Sequence, residues 1–116
     1  MRTILVVDDE EDIRQLVARM LRHGGFEVLE AESGAEASQL YSALGPVDLV
    51  VADVVMAEES GPELAARLRQ GSPDLKVLYI SGCPHVRFER RAEQTGFLPK
   101  PFTIAELVQS VTELLS

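Results

Sequence analysis

Leu49-Val50-Val51-Ala52-Asp53 runs four apolar residues straight into a carboxylate. A short continuous apolar run of this kind reads as a strand buried on both faces of a parallel sheet. Asp53 then stands at the carboxyl end of that strand. In open α/β sheets this is the edge where ligands bind. A carboxylate pushed out there can act as a nucleophile, a metal ligand, or both.

The surrounding chain repeats the pattern. Thr3-Ile4-Leu5-Val6-Val7 is a second buried strand, and it ends in five consecutive acids, Asp8 to Asp12. Ile13, Leu16, Val17, Met20 and Leu21 then fall at helical spacing, and Gly24-Gly25 stops them. Acids suit the first turn of a helix because they face its positive dipole end. That accounts for Glu10, Glu11 and Asp12 better than for Asp8 and Asp9, which still belong to the strand exit. Phe26 to Ala31 is a more polar strand, expected near a sheet edge. Ser33-x-x-Glu36 is a capping box opening a helix with Ala37, Leu40, Tyr41 and Leu44 as its buried stripe, closed by Gly45-Pro46.

Beyond Asp53, residues 54 to 59 form a loop. Ser60-x-x-Glu63 caps a third helix with Leu64, Ala65 and Leu68 inward. Val77 to Ile80 is a fourth strand ending in Ser81-Gly82. Cys83-Pro84 breaks the chain, and Val86 to Gln94 is a candidate short helix of poor periodicity. Gly96-Phe97-Leu98 is a short fifth strand before Pro99-Lys100-Pro101. Thr103-x-x-Glu106 caps a last helix carrying Ile104, Leu107, Val108, Val111 and Leu115. The order βαβαβαβ(α)βα implies an α/β fold, doubly wound, with a parallel sheet covered by helices on both faces.

Length and composition narrow the classes. The 116 residues fit one domain spanning 1–116, long enough to bury a core without disulfides. The single cysteine, Cys83, excludes a disulfide framework within the chain. A net charge of −8 argues against a nucleic-acid surface and against contact with an anionic membrane. With no span-length apolar run and no leader-like segment, the reading is a soluble, cytoplasmic domain.

In a parallel sheet all strand carboxyl ends lie together. Asp8, Asp9, Asp53, Ser81 and Lys100 should therefore converge. Carboxylates brought close need a divalent cation or a raised pKa. Oxygen ligands at few positions fit Mg²⁺, which keeps several waters and leaves room for a phosphate. Lys100 adds a point charge and Ser81 a hydroxyl donor. The set describes a carboxylate that accepts a phosphoryl group.

Val7-Asp8-Asp9-Glu10, Asp53 with Met56 and Gly61, Ser81-Gly82 and Lys100-Pro101-Phe102, each after its strand, resemble the receiver (response regulatory) domain of bacterial two-component response regulators. The resemblance covers the whole chain. It implies a CheY-like, flavodoxin-like sheet of five parallel strands in the order 2-1-3-4-5. It implies Asp53 as phosphoacceptor, Asp9 and Asp53 as direct Mg²⁺ ligands, Asp8 acting largely through water, and the backbone carbonyl of Val55 as a further ligand. Ser81 corresponds to the switch hydroxyl, Phe97 to the switch aromatic, and Lys100 to the residue that pairs with phosphoryl oxygens. The Lys100-Pro101 bond is expected to be cis, an option open to proline.

The implied partner is a histidine kinase or phosphotransfer domain, with a downstream effector protein and, through an apolar output face, a homodimer among the family's options. The implied activity is self-catalysed phosphotransfer and slow autodephosphorylation, not metabolic turnover. Val77 to Gly82 together with Phe97 to Thr103 further resemble receivers at the carboxyl end of hybrid sensor histidine kinases, so the expected contexts are an excised hybrid-kinase receiver and, alternatively, a stand-alone regulator.

The sequence departs from the family at two places. Ala57 stands where proline usually follows the methionine, which should loosen the loop beside Asp53. The segment from Ser81 to Lys100 is a few residues short, which bears on the fourth helix. Two rival readings follow. One is a hydrolase with Asp53 as phosphatase nucleophile, disfavoured because Val55 occupies the place of its second acid. The other is a phosphate-independent pseudo-receiver that keeps the fold as an interaction module. Cys83, His23 and His85 read as ordinary loop and surface residues.

Overall fold

In the computed structural model, which describes residues 2–82 and 94–116, five strands form one parallel sheet. They are β1 (Thr3–Val7), β2 (Glu27–Ala31), β3 (Leu49–Asp53), β4 (Lys76–Ser81) and β5 (Thr95–Pro99), in the spatial order β2-β1-β3-β4-β5. The expected order is thus observed, and the more polar β2 is an edge strand, as its composition suggested. Helices α1 (Glu11–His23), α2 (Gly34–Leu44), α3 (Gly61–Arg69) and α4 (Ile104–Leu115) complete the described elements. The candidate helix at 86–94, with Cys83 and His85, falls outside the described residues except for Gln94.

Why these strands hold two helical layers follows from their period of two. Ile4 and Val6, Leu49 and Val51, and Leu78 and Ile80 point to one face. There they pack with Val17 and Leu21 of α1 and Leu107 and Val111 of α4. Leu5 and Val7, Val50 and Ala52, and Val77 and Tyr79 point to the other, against Ala37 of α2 and Leu64, Ala65 and Leu68 of α3. All five residues of β3 are buried. A strand sandwiched between two apolar layers must be apolar along its whole length, which is why alternation is missing from it.

The helix ends follow local chemistry, with one departure. Ser60 and Thr103 each make a complete capping box with Glu63 and Glu106. At α2 only half the box forms. Ser33 Oγ accepts from the Glu36 N–H at 3.1 Å, but the Glu36 carboxylate accepts from the Glu32 N–H rather than that of Ser33. Gly25 closes α1 at φ 95°, a conformation that costs glycine little.

The expected apolar stripes are correct in period and too wide in extent. Leu44, the last residue of α2, is 63% exposed, and Leu16 and Ile104 are also exposed on α1 and α4. Among the described residues no helix is long and apolar enough to cross a membrane.

Candidate phosphoacceptor site

Strand register builds the site. Val7 of β1 pairs with Ala52 of β3, so the next residue of each strand, Asp8 and Asp53, stand side by side at the carboxyl edge. By alternation both fall on the sheet face that carries α1 and α4. Asp53 pairs with Ile80 of β4, which places Ser81 one step further along. Ser81 pairs with Pro99, and the Lys100 N–H donates to the Ser81 carbonyl at 2.8 Å, so the ladder brings Lys100 to the same edge. The Lys100-Pro101 bond is cis.

Asp53 is buried, and both its carboxylate oxygens are engaged. Oδ1 accepts from the Val55 N–H at 3.1 Å, and Oδ2 accepts from Lys100 Nζ at 2.8 Å. Burial pulls the Lys100 pKa down. The hydrogen bond to Asp53 and the charges of Asp53, Asp8 and Glu10 outweigh that, and the net shift is upward. Lys100 is therefore held as a cation over the Asp53 carboxylate.

Asp8 is in a different state. It is 1% exposed, its Oδ1 accepts from the Glu10 N–H at 2.9 Å, and its Oδ2 is buried with no hydrogen-bond partner. Burial, then the charges of Asp53 and Glu10, push its pKa up to about 6, against the opposing pull of the Glu10 amide and Lys100. A buried carboxylate oxygen left without a donor is costly unless a cation or proton meets it. Asp8, Glu10 and Asp53 each place a carboxylate oxygen within 4.8 Å of the others. This all-oxygen set, with its orphaned Asp8 Oδ2, fits a hard divalent cation such as Mg²⁺.

Glu10 was not expected in this set, since an acid at a helix start is satisfied by the dipole alone. It is the N-cap residue of α1 and makes no side-chain cap bond, which leaves its carboxylate for the cluster.

Asp9, expected as a direct ligand, lies outside that triad. Its Oδ2 accepts from the Ala57 N–H at 2.8 Å. At Ala57 the loop after β3 carries a tie that proline could not make, because alanine supplies an amide that proline lacks. The same loop closes tightly on β3. The Gly61 N–H donates to the Val54 carbonyl at 3.0 Å, and a Cβ on Gly61 would overlap the Asp53 carbonyl oxygen. Val55 itself is 66% exposed. Phe97 is half-buried against the core on the α2–α3 face, paired in register with Tyr79.

The model of the response regulator receiver domain family matches residues 4–112. The chain belongs to that family. Its relatives include sensor kinase CckA of Brucella abortus, 43% identical over 117 residues that span 97% of this chain and 12% of CckA. Response regulator receiver protein CpdR of the same organism is 31% identical over 99% of this chain and 98% of its own length. Among solved structures, response regulator protein TrrA of Thermotoga maritima, in complex with Mg²⁺-BeF, superposes with a TM-score of 0.86. It is 35% identical and covers 99% of this chain and 100% of its own. A complex of histidine kinase ThkA with TrrA matches at a TM-score of 0.84, with 36% identity and full coverage of both chains. This receiver is a signalling domain of the two-component type, and it spans only about an eighth of the length of CckA.

Proposed function

We propose that the chain, as one domain over 1–116, is a phosphoacceptor receiver in which Asp53 takes a phosphoryl group from the phosphohistidine of a histidine kinase or phosphotransfer domain. The observation that carries this reading is the buried Asp53 carboxylate with Lys100 Nζ 2.8 Å from one oxygen. The TrrA–ThkA complex supports a kinase as partner, and the Mg²⁺-BeF state of TrrA supports the metal. The likeness to a short stretch of CckA supports a place in a phosphorelay that includes a larger sensor kinase.

In the transfer, an Asp53 carboxylate oxygen attacks phosphorus. A P–O bond forms, the P–N bond to imidazole breaks, and the electron pair leaves with the imidazole nitrogen. Asp8, Glu10 and Asp53, joined by Asp9 and the Val55 carbonyl, would hold the Mg²⁺. The bound metal would offset the like charge of carboxylate and phosphoryl oxygens. Lys100 gives up one Asp53 oxygen and meets a phosphoryl oxygen instead, and the Ser81 hydroxyl donates to another. Because Lys100 is already charged and at the acceptor edge, it has only to exchange an Asp53 oxygen for a phosphoryl oxygen in the transfer.

Intact-protein mass after incubation with acetyl phosphate, with and without Mg²⁺, tests this on wild type and Asp53→Asn. One added phosphoryl group that needs both Mg²⁺ and Asp53 is the expected result. Labelling of Asp53→Asn equal to wild type would remove the assignment. The pseudo-receiver reading draws on one observation, the turn of Asp9 toward Ala57. No Mg²⁺ binding at millimolar metal, with no labelling, would favour it.

A further inference from the structure

We propose that the backbone amide of Ala57 is a latch that holds Asp9 out of the metal site and thereby sets the affinity for Mg²⁺. This rests on the metal-dependent reading above.

The Ala57 N–H donates to Asp9 Oδ2 at 2.8 Å, across 48 positions of sequence. Meanwhile Asp8, Glu10 and Asp53 bring their oxygens within 4.8 Å of one another without Asp9. Electrostatics alone does not choose where Asp9 sits, because it meets acids on either side: Asp8, Glu10 and Asp53 toward the metal site, and others where it lies. It lines a cleft with Glu32, Glu58 and Glu59, beside Ser33, Met56 and Ala57. Of these acids Glu59 is neutralised by Arg67. A fourth carboxylate turned into that company needs a donor to keep it there, and the Ala57 amide is that donor. A hydrogen bond to an ionised acceptor is among the stronger kinds.

The latch is anchored at both ends of its loop. The Val54 N–H donates to the Ile80 carbonyl at 3.0 Å, and Gly61 N–H to Val54 at 3.0 Å. Ser60 is fixed by its capping box with Glu63. Ala57 thus sits at a defined place between two pinned points, and Asp9 adjoins the end of β1 next to Asp8. With Oδ2 on the Ala57 amide, neither Asp9 oxygen falls within the cluster of Asp8, Glu10 and Asp53. Bringing the Asp9 carboxylate to a cation there must turn it and strain or break that bond, so the amide opposes the move.

Two variants separate the donor from the loop. Ala57→Pro removes the N–H, and Ala57→Gly keeps it while relaxing the backbone. Calorimetric Mg²⁺ titration should show Ala57→Pro binding about three- to tenfold tighter than wild type, the worth of one hydrogen bond at an exposed site. Ala57→Gly should stay close to wild type. Amide hydrogen exchange read by NMR on wild type gives an answer even where the proline variant folds poorly. The Ala57 amide should be protected in the metal-free protein, lose protection on Mg²⁺ saturation, and be unprotected in Asp9→Ala. An Ala57 amide that stays equally protected at saturating Mg²⁺, with unchanged affinity in Ala57→Pro, overturns the latch and leaves the metal reading standing. Mg²⁺ binding that appears only in Ala57→Pro is the latch at its strongest. No Mg²⁺ binding in any variant ends the metal reading, and the latch with it.

Discussion

The Lys100 ammonium and the Asp53 carboxylate lie 2.8 Å apart, joining the carboxyl ends of two strands that do not pair with each other. β4 stands between β3 and β5, so the lysine side chain reaches across a strand to meet Asp53. A contact made over that span fixes the surroundings of the Asp53 carboxylate in the metal-free, unmodified protein.

Lys100→Met tests what the charge does, because it keeps an apolar stem and removes the ammonium. The rate of labelling by acetyl phosphate should fall roughly a hundredfold, the usual loss for one preorganised donor to developing charge. Mg²⁺ should still bind, since a positive neighbour has been taken away. An unchanged labelling rate, followed by intact mass over time, would reduce Lys100 to a structural partner of Asp53.

Asp8 gives the site a pH dependence whose sign is fixed. Its folded pKa of about 6 lies above the ordinary 3.8. Between these values the native state holds a proton that the unfolded chain releases. Metal-free stability therefore falls as pH rises through this window. Asp8→Asn removes the effect and should raise the unfolding free energy of the metal-free protein near neutral pH by up to about 3 kcal/mol. Mg²⁺ needs the ionised form, so its affinity should weaken as pH drops below about 6. Urea melts and Mg²⁺ titrations at about pH 5 and about pH 7 check both, and a variant no more stable than wild type at the higher pH would contradict the account.

Gly61 is required by close approach. Its N–H binds back to Val54, and a Cβ there would overlap the Asp53 carbonyl oxygen and crowd Tyr79. Ala has better helix propensity than Gly, so at an open first-turn position the change would help. Here Gly61→Ala should instead destabilise the fold by about 1–3 kcal/mol, the usual cost of overpacking. Labelling should slow as the end of β3 shifts. Denaturant midpoints settle the direction, and a stabilised Gly61→Ala would show that the loop yields freely.

Much of this site was legible because strand ends announce themselves in sequence. Asp8 and Asp53 each end a buried apolar run, Lys100 follows a shorter, half-buried strand between two prolines, and a parallel sheet does the rest. Glu10 was hidden because an acid at a helix start already has a sufficient explanation. The bond between Asp9 and Ala57 was hidden for another reason. Its donor is a backbone amide, which every residue but proline carries, so alanine at that place reads as a loss of stiffness and not as a gain of a donor. The width of helix faces was overread at Leu16, Leu44 and Ile104, since periodicity gives the direction of a face and not where the sheet beneath it ends. Ser33-x-x-Glu36 shows the same limit locally: the pattern permits a reciprocal box, and the Glu32 amide captures the glutamate instead.

Ser81 lies one residue past Ile80, the register partner of Asp53, and is buried at the end of β4. Phe97 lies on the neighbouring strand, half-buried beside Tyr79. A hydroxyl drawn toward an occupied Asp53 would pull on the β4–β5 edge, where the aromatic ring sits. Coupling of this kind is typically worth about 1–3 kcal/mol. In NMR spectra with Mg²⁺ and beryllofluoride as the phosphoryl mimic, wild type should show shifts reaching Phe97 and Tyr79. Ser81→Ala should still take up the mimic, because Asp53 and Lys100 are intact, but the shifts at Phe97 should shrink severalfold. Full-sized shifts at Phe97 in Ser81→Ala would mean that the sheet edge responds to the phosphoryl group by another route.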